Sequence, residues 1–282
     1  MTDSYWTLFM NSALASENPN AALTLLFLFL GRILPIIAQS PFFGARVLPH
    51  PVKLAFALTL FAIFLPKLVV VSTTTLTFSP LSILYLVKEI FIGYIIGFLI
   101  SIPFTIVQSA GMFIDHQRGG ASLMVNDPTM QNQSSPLGTM FNLVLIYLFF
   151  LMDGPFLFIE AIMTSYEVVP PDQFINPYFF ERTSAFWDVA IKLLNTSMKL
   201  AIQLASPALI AILMTDVFLG IANRLAPQVQ ITFLGLPLKS LLGLTVIFLG
   251  WQVFTAQIVK ESYSWLYKIQ EVILMFKPIT ET

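Results

Sequence analysis

Cysteine is missing from all 282 residues, which excludes disulfides, iron–sulfur ligation and thiol chemistry. Charge is almost as scarce. Asp, Glu, Lys and Arg make up 10% of the chain, against roughly 25% in an average soluble domain. So few charges cannot coat a water-facing globule of this size, and a soluble domain is excluded. The 14 basic and 15 acidic residues leave a net charge of −1, with no basic stripe. Nucleic acid is therefore not an expected partner. The two histidines, His50 and His116, are far apart and lack ligand spacing, so no metal or cofactor is expected. No GxxxxGK[ST], HExxH or GxSxG motif occurs, and Asp115-His116 has no serine placed to act as a nucleophile. The chain is not expected to be an enzyme.

What is present is apolar: 57% of residues are hydrophobic and the mean hydropathy is +0.82. Disorder is excluded by that abundance. A helix needs about 20 apolar residues to cross a bilayer core. Six segments qualify by eye: Ala21–Gln39, Val52–Ser72, Leu81–Val107, Leu137–Met163, Trp187–Ala222 and Leu236–Val259. The fold class is accordingly all-α and membrane-associated, read as one domain over 1–282. A tail, Lys260–Thr282, keeps helical spacing at Leu266, Ile269, Ile273 and Phe276 and reads as an amphipathic helix. Met1–Asn20 has no basic residue, so a cleaved signal peptide is not expected and the first apolar segment is read as retained.

The segments break lipid rules. Arg32 and Pro35 lie in the first, Pro66 and Lys67 in the second, Lys88, Glu89 and Pro103 in the third. Asp153-Gly154-Pro155 interrupts the fourth, and Lys192, Lys199, Pro207 and Asp216 punctuate the fifth. A charge at the bilayer centre costs roughly 2.5–3.5 kcal/mol even on the lenient insertion scale. The loop cations divide almost evenly between the two sides: Arg182, Lys260, Lys268 and Lys277 against Arg46, Arg118, Arg224, Lys53 and Lys239. The positive-inside rule then assigns no orientation. Apolar segments packed on protein instead of lipid would explain both departures.

Lys88 and Glu89 are adjacent, so on a helix they point apart and are expected to find separate partners on another helix or subunit. Lys192 and Lys199 share a helical face that Gln203 and Ser206 roughly continue. Gly111–Gly138 is the longest polar stretch between segments. Gly119-Gly120 permits a sharp reversal there, and Asn126-Asp127-Pro128 favours a turn. Non-helical backbone at membrane depth is tolerated where it lines a cavity or is buried in protein. An echo links Pro51-Val52-Lys53 with Pro237-Leu238-Lys239, and a repeat and chance account for it equally well.

Three stretches carry a family resemblance. They are Gly31–Leu58, with its arginine, Ser-Pro-Phe-Phe-Gly turn and Pro-x-Lys helix start; Gly111–Pro128, with Asp115, Gln117 and Gly119; and Ser206–Leu242, with Asp216, Gly220, Arg224, Pro227-Gln228, Gly235, Pro237 and Lys239. In this order and spacing the chain resembles the T-subunit (SctT, flagellar FliR) family of the bacterial type III secretion export apparatus. Gln230 stands where the family commonly has asparagine, and Asp153-Gly154-Pro155 stands where flagellar members tend to carry a Gly-Gly-His-like turn. The second departure favours an injectisome member over a flagellar one.

The resemblance implies a subunit of a screw-like, helical hetero-oligomeric cone built with the R and S subunits, with U and V as further partners. It implies a gate for unfolded export substrates in the bacterial inner membrane, multi-pass or partly raised above the membrane plane and in contact with lipid. It also implies a pore-plugging loop, for which Asp115, Gln117, Gly119, Gly120, Met124 and Pro128 are the candidate gating residues. Met112, Met124 and Met130 are flexible apolar fillers that can seal around varied cargo. Arg32, Lys88, Glu89, Asp216, Arg224, Gln228 and Lys239 are the candidate assembly contacts. The rival expectation is a six-span secondary transporter for a small solute, with Asp216 and Glu89 as ion-coupling carboxylates.

Overall fold

The computed structural model describes residues 20–43, 48–72, 79–120, 125–127, 132–176, 179, 185–225 and 231–276. Helices dominate. They are α1 (Ala21–Gln39), α2 (His50–Val71), α3 (Pro80–Gln117), α4 (Pro136–Leu151), α5 (Gly154–Val168), α6 (Ala185–Leu225), α7 (Ile231–Leu249) and α8 (Trp251–Leu274). A 3₁₀ turn, Pro41–Phe43, follows α1. The one addition to the expected all-helical architecture, among the described residues, is a short antiparallel ribbon. It pairs β1 (Val125–Asp127) with β2 (Asn132–Ser134), Val125 opposite Ser134.

α1, α2, α3 and α6 are each long and apolar enough to cross a membrane. The broken pairs α4 with α5 and α7 with α8 satisfy the same test when each pair is taken together. α1 has 19 residues and rises about 28 Å, close to the hydrocarbon thickness of about 30 Å. α3 and α6 run to 38 and 41 residues, about twice that thickness at 1.5 Å per residue. Neither can lie wholly in hydrocarbon as a simple span.

The chain divides into two compact units. The first takes in the described residues of Met1–Ser101, Asp153–Ala190 and Leu266–Thr282; the second comprises Ile102–Met152 and Ile191–Trp265. In the first unit, Leu25, Leu28, Phe29, Ile33, Ile36 and Ile37 repeat at helical spacing along α1 and are buried. Phe29 stacks on Tyr166 of α5 at 5.6 Å and meets Phe61 and Phe64 of α2 at 5.4 and 5.9 Å. The α8 end belongs here too. Ile269, Ile273 and Phe276 are buried, and Phe276 packs on Phe179 at 4.9 Å. Ile269, Ile273 and Phe276 of the tail thus lie on its inward face.

α1 and α3 cross closely because α3 carries Gly93 and Gly97, four apart. A β-carbon on Gly93 would strike the Arg32 carbonyl, and one on Gly97 would press on Ile36 and the Pro35 carbonyl. Small residues at i and i+4 let helix backbones approach where there is no room for side chains. Pro35 breaks the α1 ladder, and Gln39 Nε2 at the end of α1 donates to the Tyr94 carbonyl at 3.1 Å, binding the two helices.

In the second unit, Gly111 of α3 and Gly138 of α4 make a similar approach, backbone against backbone. α3 continues to Gln117, beyond the Val107 limit expected from the apolar run. Gln108, Ser109 and Gly111 weaken the apolar signal, yet Gly111 is what admits α4. α4 ends before Asp153, whose φ of 56° is left-handed. Asp tolerates that region better than bulkier residues, and Gly154-Pro155 then restarts the helix. Lys192, Lys199 and Gln203 are exposed along α6. Pro51 stands in the first turn of α2 but Pro237 lies inside α7, so the two Pro-x-Lys triplets occupy different helical positions.

Gly93→Ala should force α1 and α3 apart and cost about 1–3 kcal/mol by overpacking. A lowered unfolding midpoint in detergent is the expected readout, and an unchanged midpoint would refute the close crossing.

Candidate functional site: two charge clusters at helix ends

The first cluster centres on Arg32, which is completely buried. Its five N–H groups find five acceptors. Nε and Nη2 donate to the two Glu89 oxygens at 2.5 and 2.9 Å. Nη1 donates to the Ser165 carbonyl at 2.8 Å and to Ser165 Oγ at 3.1 Å, and Nη2 donates to the Val169 carbonyl at 2.8 Å. The guanidinium also lies 3.9 Å over the Tyr166 ring. A planar fork with all donors satisfied is the arrangement in which a buried arginine is tolerable.

Lys88 Nζ completes the cluster, donating to the carbonyls of Pro170, Pro171 and Gln173 at 2.9, 3.1 and 2.9 Å. Its neighbours there make local sense. α5 stops at Val168, and Pro170-Pro171 cannot continue it. The end of α5 and the turn beyond it therefore present carbonyls to donors from outside the helix, at the negative pole of the helix dipole. Two cations fill it. Glu89 and the buried Asp172 supply opposing charge to Lys88.

The sequence expectation for Lys88 and Glu89 needs one correction. Each does find partners elsewhere, but they also pair with each other, Lys88 Nζ lying 2.6 Å from Glu89 Oε1. The lysine stem is long enough to bend back over the adjacent side chain. Arg32, Lys88 and Glu89 take all these partners from within the chain itself.

The second cluster centres on Asp115, 3% exposed, in the last turn of α3. Its carboxylate accepts from Arg118 Nε at 2.7 Å, from the Leu137 N–H at 2.8 Å and from Ser135 Oγ. Ser135 in turn caps α4, accepting from the Gly138 N–H at 3.1 Å, and Pro136 occupies the first helical position. One carboxylate thus joins the two ends of the 118–135 insert and sits at the positive end of α4. Arg118 Nη1 reaches Ser240 of α7 at 3.3 Å. Gly119 follows with φ of 87°, and a β-carbon there would strike Leu236 of the same helix.

Gln117 is half-buried at the end of α3 and Gly120 is buried against the Asp115 carbonyl. Asp115 and Gln117 are therefore helical residues at the root of the insert, where the sequence suggested a loop. Met124, Met130, Pro128 and Gln228 lie outside the described residues. Asp216 of α6 pairs with Lys239 of α7, both part-exposed, and Arg224 is exposed near the α6 end. The transporter expectation loses its carboxylates here. Glu89 is held by Arg32 and Lys88, and Asp216 by Lys239, so neither is poised to exchange an ion.

Sequence reasoning missed Gly93 and Gly97, although a glycine pair four apart in an apolar helix is a legible signal. It also missed Ser165, Ser135 and the Pro170–Gln173 carbonyls. Ser135 before Pro136 carried a readable cap signature; the backbone acceptors carried none.

Glu89→Gln leaves two buried cations without their carboxylate and should cost about 3–5 kcal/mol. The double change Arg32→Met, Glu89→Met should be much milder. Protein level and detergent unfolding measure both, and equal losses in the single and double variants would contradict the coupling.

Residues 23–264 match the family described as bacterial export proteins, family 1. Among relatives, the surface presentation of antigens protein SpaR of Shigella flexneri is 33% identical over 162 residues, 57% of this chain and 60% of that protein. The Yop proteins translocation protein T of Yersinia pestis is 30% identical over 196 residues, 69% of this chain and 71% of that one. The flagellar biosynthetic protein FliR of Caulobacter vibrioides is 28% identical over 228 residues, 79% and 86% of the two chains. The chain spans about 60% of the length of the SpaR relative. None of these names describes a solute transporter, and the match runs through both charge clusters: the chain belongs to the bacterial export proteins, family 1.

Proposed function

We propose that this chain is the T-type subunit of a bacterial type III secretion export apparatus, of the injectisome kind, and that it has a structural role with no catalytic one. It resides in the inner membrane and forms, with R and S subunits, the channel through which unfolded substrate proteins leave. U and V subunits are further partners, and lipid surrounds the assembly. The observation that carries this reading is the family match over residues 23–264. The injectisome assignment is supported by the SpaR and Yop translocation relatives, which share more identity than the flagellar one.

In this reading the insert between α3 and α4 obstructs the channel at rest. Asp115 holds its two ends together, so the scaffold stays closed while the insert moves. Gly119, already left-handed, and Gly120 supply the hinge, and Gln117, Met124 and Pro128 belong to the same gating segment. Arg32, Lys88 and Glu89 set the α1–α3–α5 register on which assembly surfaces rest. Asp216, Arg224, Gln228 and Lys239, around the α6–α7 connection, make the subunit contact. Nothing in the sequence binds nucleotide by a recognisable loop, so the driving energy comes from other components.

Deletion of Gly119–Asn126 should leave assembly intact and make the membrane leaky to ions in conductance recordings; a tight membrane would refute the plug. The double variant Arg224→Ala, Lys239→Ala should co-purify with R and S subunits in reduced yield. Undiminished recovery would remove these residues from the interface.

A further inference from the structure

Two irregularities in the helices of the second compact unit line one void, and a third lines a recess that shares residues with it. Pro207 lies inside α6, Gly250 separates α7 from α8, and Pro103 lies inside α3. Pro207 and Gly250 line a cavity of about 500 Å³ together with Ile114, Leu204, Ala208 and Phe254. A small recess beside Pro103 shares Leu204 and Glu261 with it.

The void has a backbone cause. A proline deletes one helical hydrogen bond and pushes the helix away from the carbonyl four residues earlier. That carbonyl, Gln203, accepts from Ser206 Oγ at 2.8 Å, which satisfies it in place of the missing N–H. Gly250 contributes no side chain to fill the opposite wall, and α7 and α8 diverge there by 66°. The floor is sealed, with Ile114 1% and Ala208 2% exposed, whereas Val253 at the mouth is 76% exposed.

We infer that this cavity holds one acyl chain of a membrane phospholipid whose headgroup ammonium meets the Glu261 carboxylate. The volume falls in the range of roughly 300–1,000 Å³ typical of ligand sites, and the apolar lining with few polar groups fits the same class. Gln203, Ser206, Gln257 and Glu261 form the polar part of the lining and can partner water, whereas Ile114, Leu204, Ala208, Val246 and Phe254 offer water no partner. An empty void would forfeit dispersion contacts on every wall. α6 is long and apolar enough to cross a membrane, and α7 with α8 passes the same test as a broken span, which makes membrane lipid the apolar candidate for the mouth. Glu261 is the charged residue among the described lining residues, and Gln257 Nε2 donates to its Oε1 at 2.8 Å. A carboxylate at the rim favours an ammonium headgroup and disfavours an anionic one. From Glu261 to the Gly250 break the helix rises about 16 Å, a path that an extended fatty chain can follow.

The test reconstitutes the protein, with its accompanying chains, into vesicles of phosphatidylethanolamine and phosphatidylglycerol. Either lipid is doped with a version carrying a diazirine on its acyl chain. Irradiation is expected to label the peptide containing Val246, Val253 and Phe254, more strongly from phosphatidylethanolamine. Ala208→Phe fills the floor and should abolish labelling. Glu261→Gln preserves the packing and should weaken labelling by the phosphatidylethanolamine probe about tenfold, the worth of one charge-assisted hydrogen bond. Equal labelling by both probes in the unsubstituted protein, labelling indifferent to both substitutions, or cross-linking that shows a neighbouring polypeptide in the cavity would overturn the assignment. The readout is lipid labelling, so its failure is distinct from any failure of secretion.

Discussion

A buried arginine in an apolar helix constrains everything around it. Arg32 must enter the fold with five acceptors already in place, and the first unit supplies them from α3 and from the end of α5. Gly93 and Gly97 let α3 come close enough for Glu89 to form a bidentate pair. α5 contributes the carbonyls at its own end, and Tyr166 offers its ring face. Such a cluster adds little net stability, because desolvating the charges offsets their attraction. It penalises every register in which α1, α3 and α5 are misaligned. Apolar contacts such as Phe29 on Phe61 are less demanding, since apolar side chains tolerate sliding far better than a satisfied guanidinium does.

The second unit handles charge by the opposite polarity of the same device. Arg32 and Lys88 occupy the negative end of α5; Asp115 occupies the positive end of α4. In a chain with so few charges, helix termini become the natural counter-ions. For Arg32, Lys88, Glu89 and Asp115 this removes the contradiction between an apolar segment and the charge embedded in it. These four charges are directed to backbone dipoles and to one another.

The outline of the fold was legible in the sequence, because long apolar runs bounded by Pro and Gly leave few alternatives to helices. Family membership was legible too, through motifs spread over three stretches. The residues Arg32, Lys88, Glu89 and Asp115 stood out as anomalous, yet their partners did not. Backbone carbonyls at the end of α5 have no signature in one-letter code, and the fold-back of Lys88 onto Glu89 depends on a side-chain path that helix periodicity does not encode. The length of α3 was hidden by Gln108, Ser109 and Gly111, which resemble a terminus until α4 is seen packing against the glycine. Gly93 and Gly97 could have been read and were obscured by the apolar residues between them.

The double anchoring of Asp115 has a polymer-physics corollary. A segment fastened at both ends by one carboxylate contributes a closure entropy that grows only with the logarithm of its contour, about 0.6 kcal/mol for each doubling of length. The scaffold is therefore nearly indifferent to how many residues lie between the anchors. That stretch can be lengthened, shortened or rewritten without renegotiating the helices that carry it.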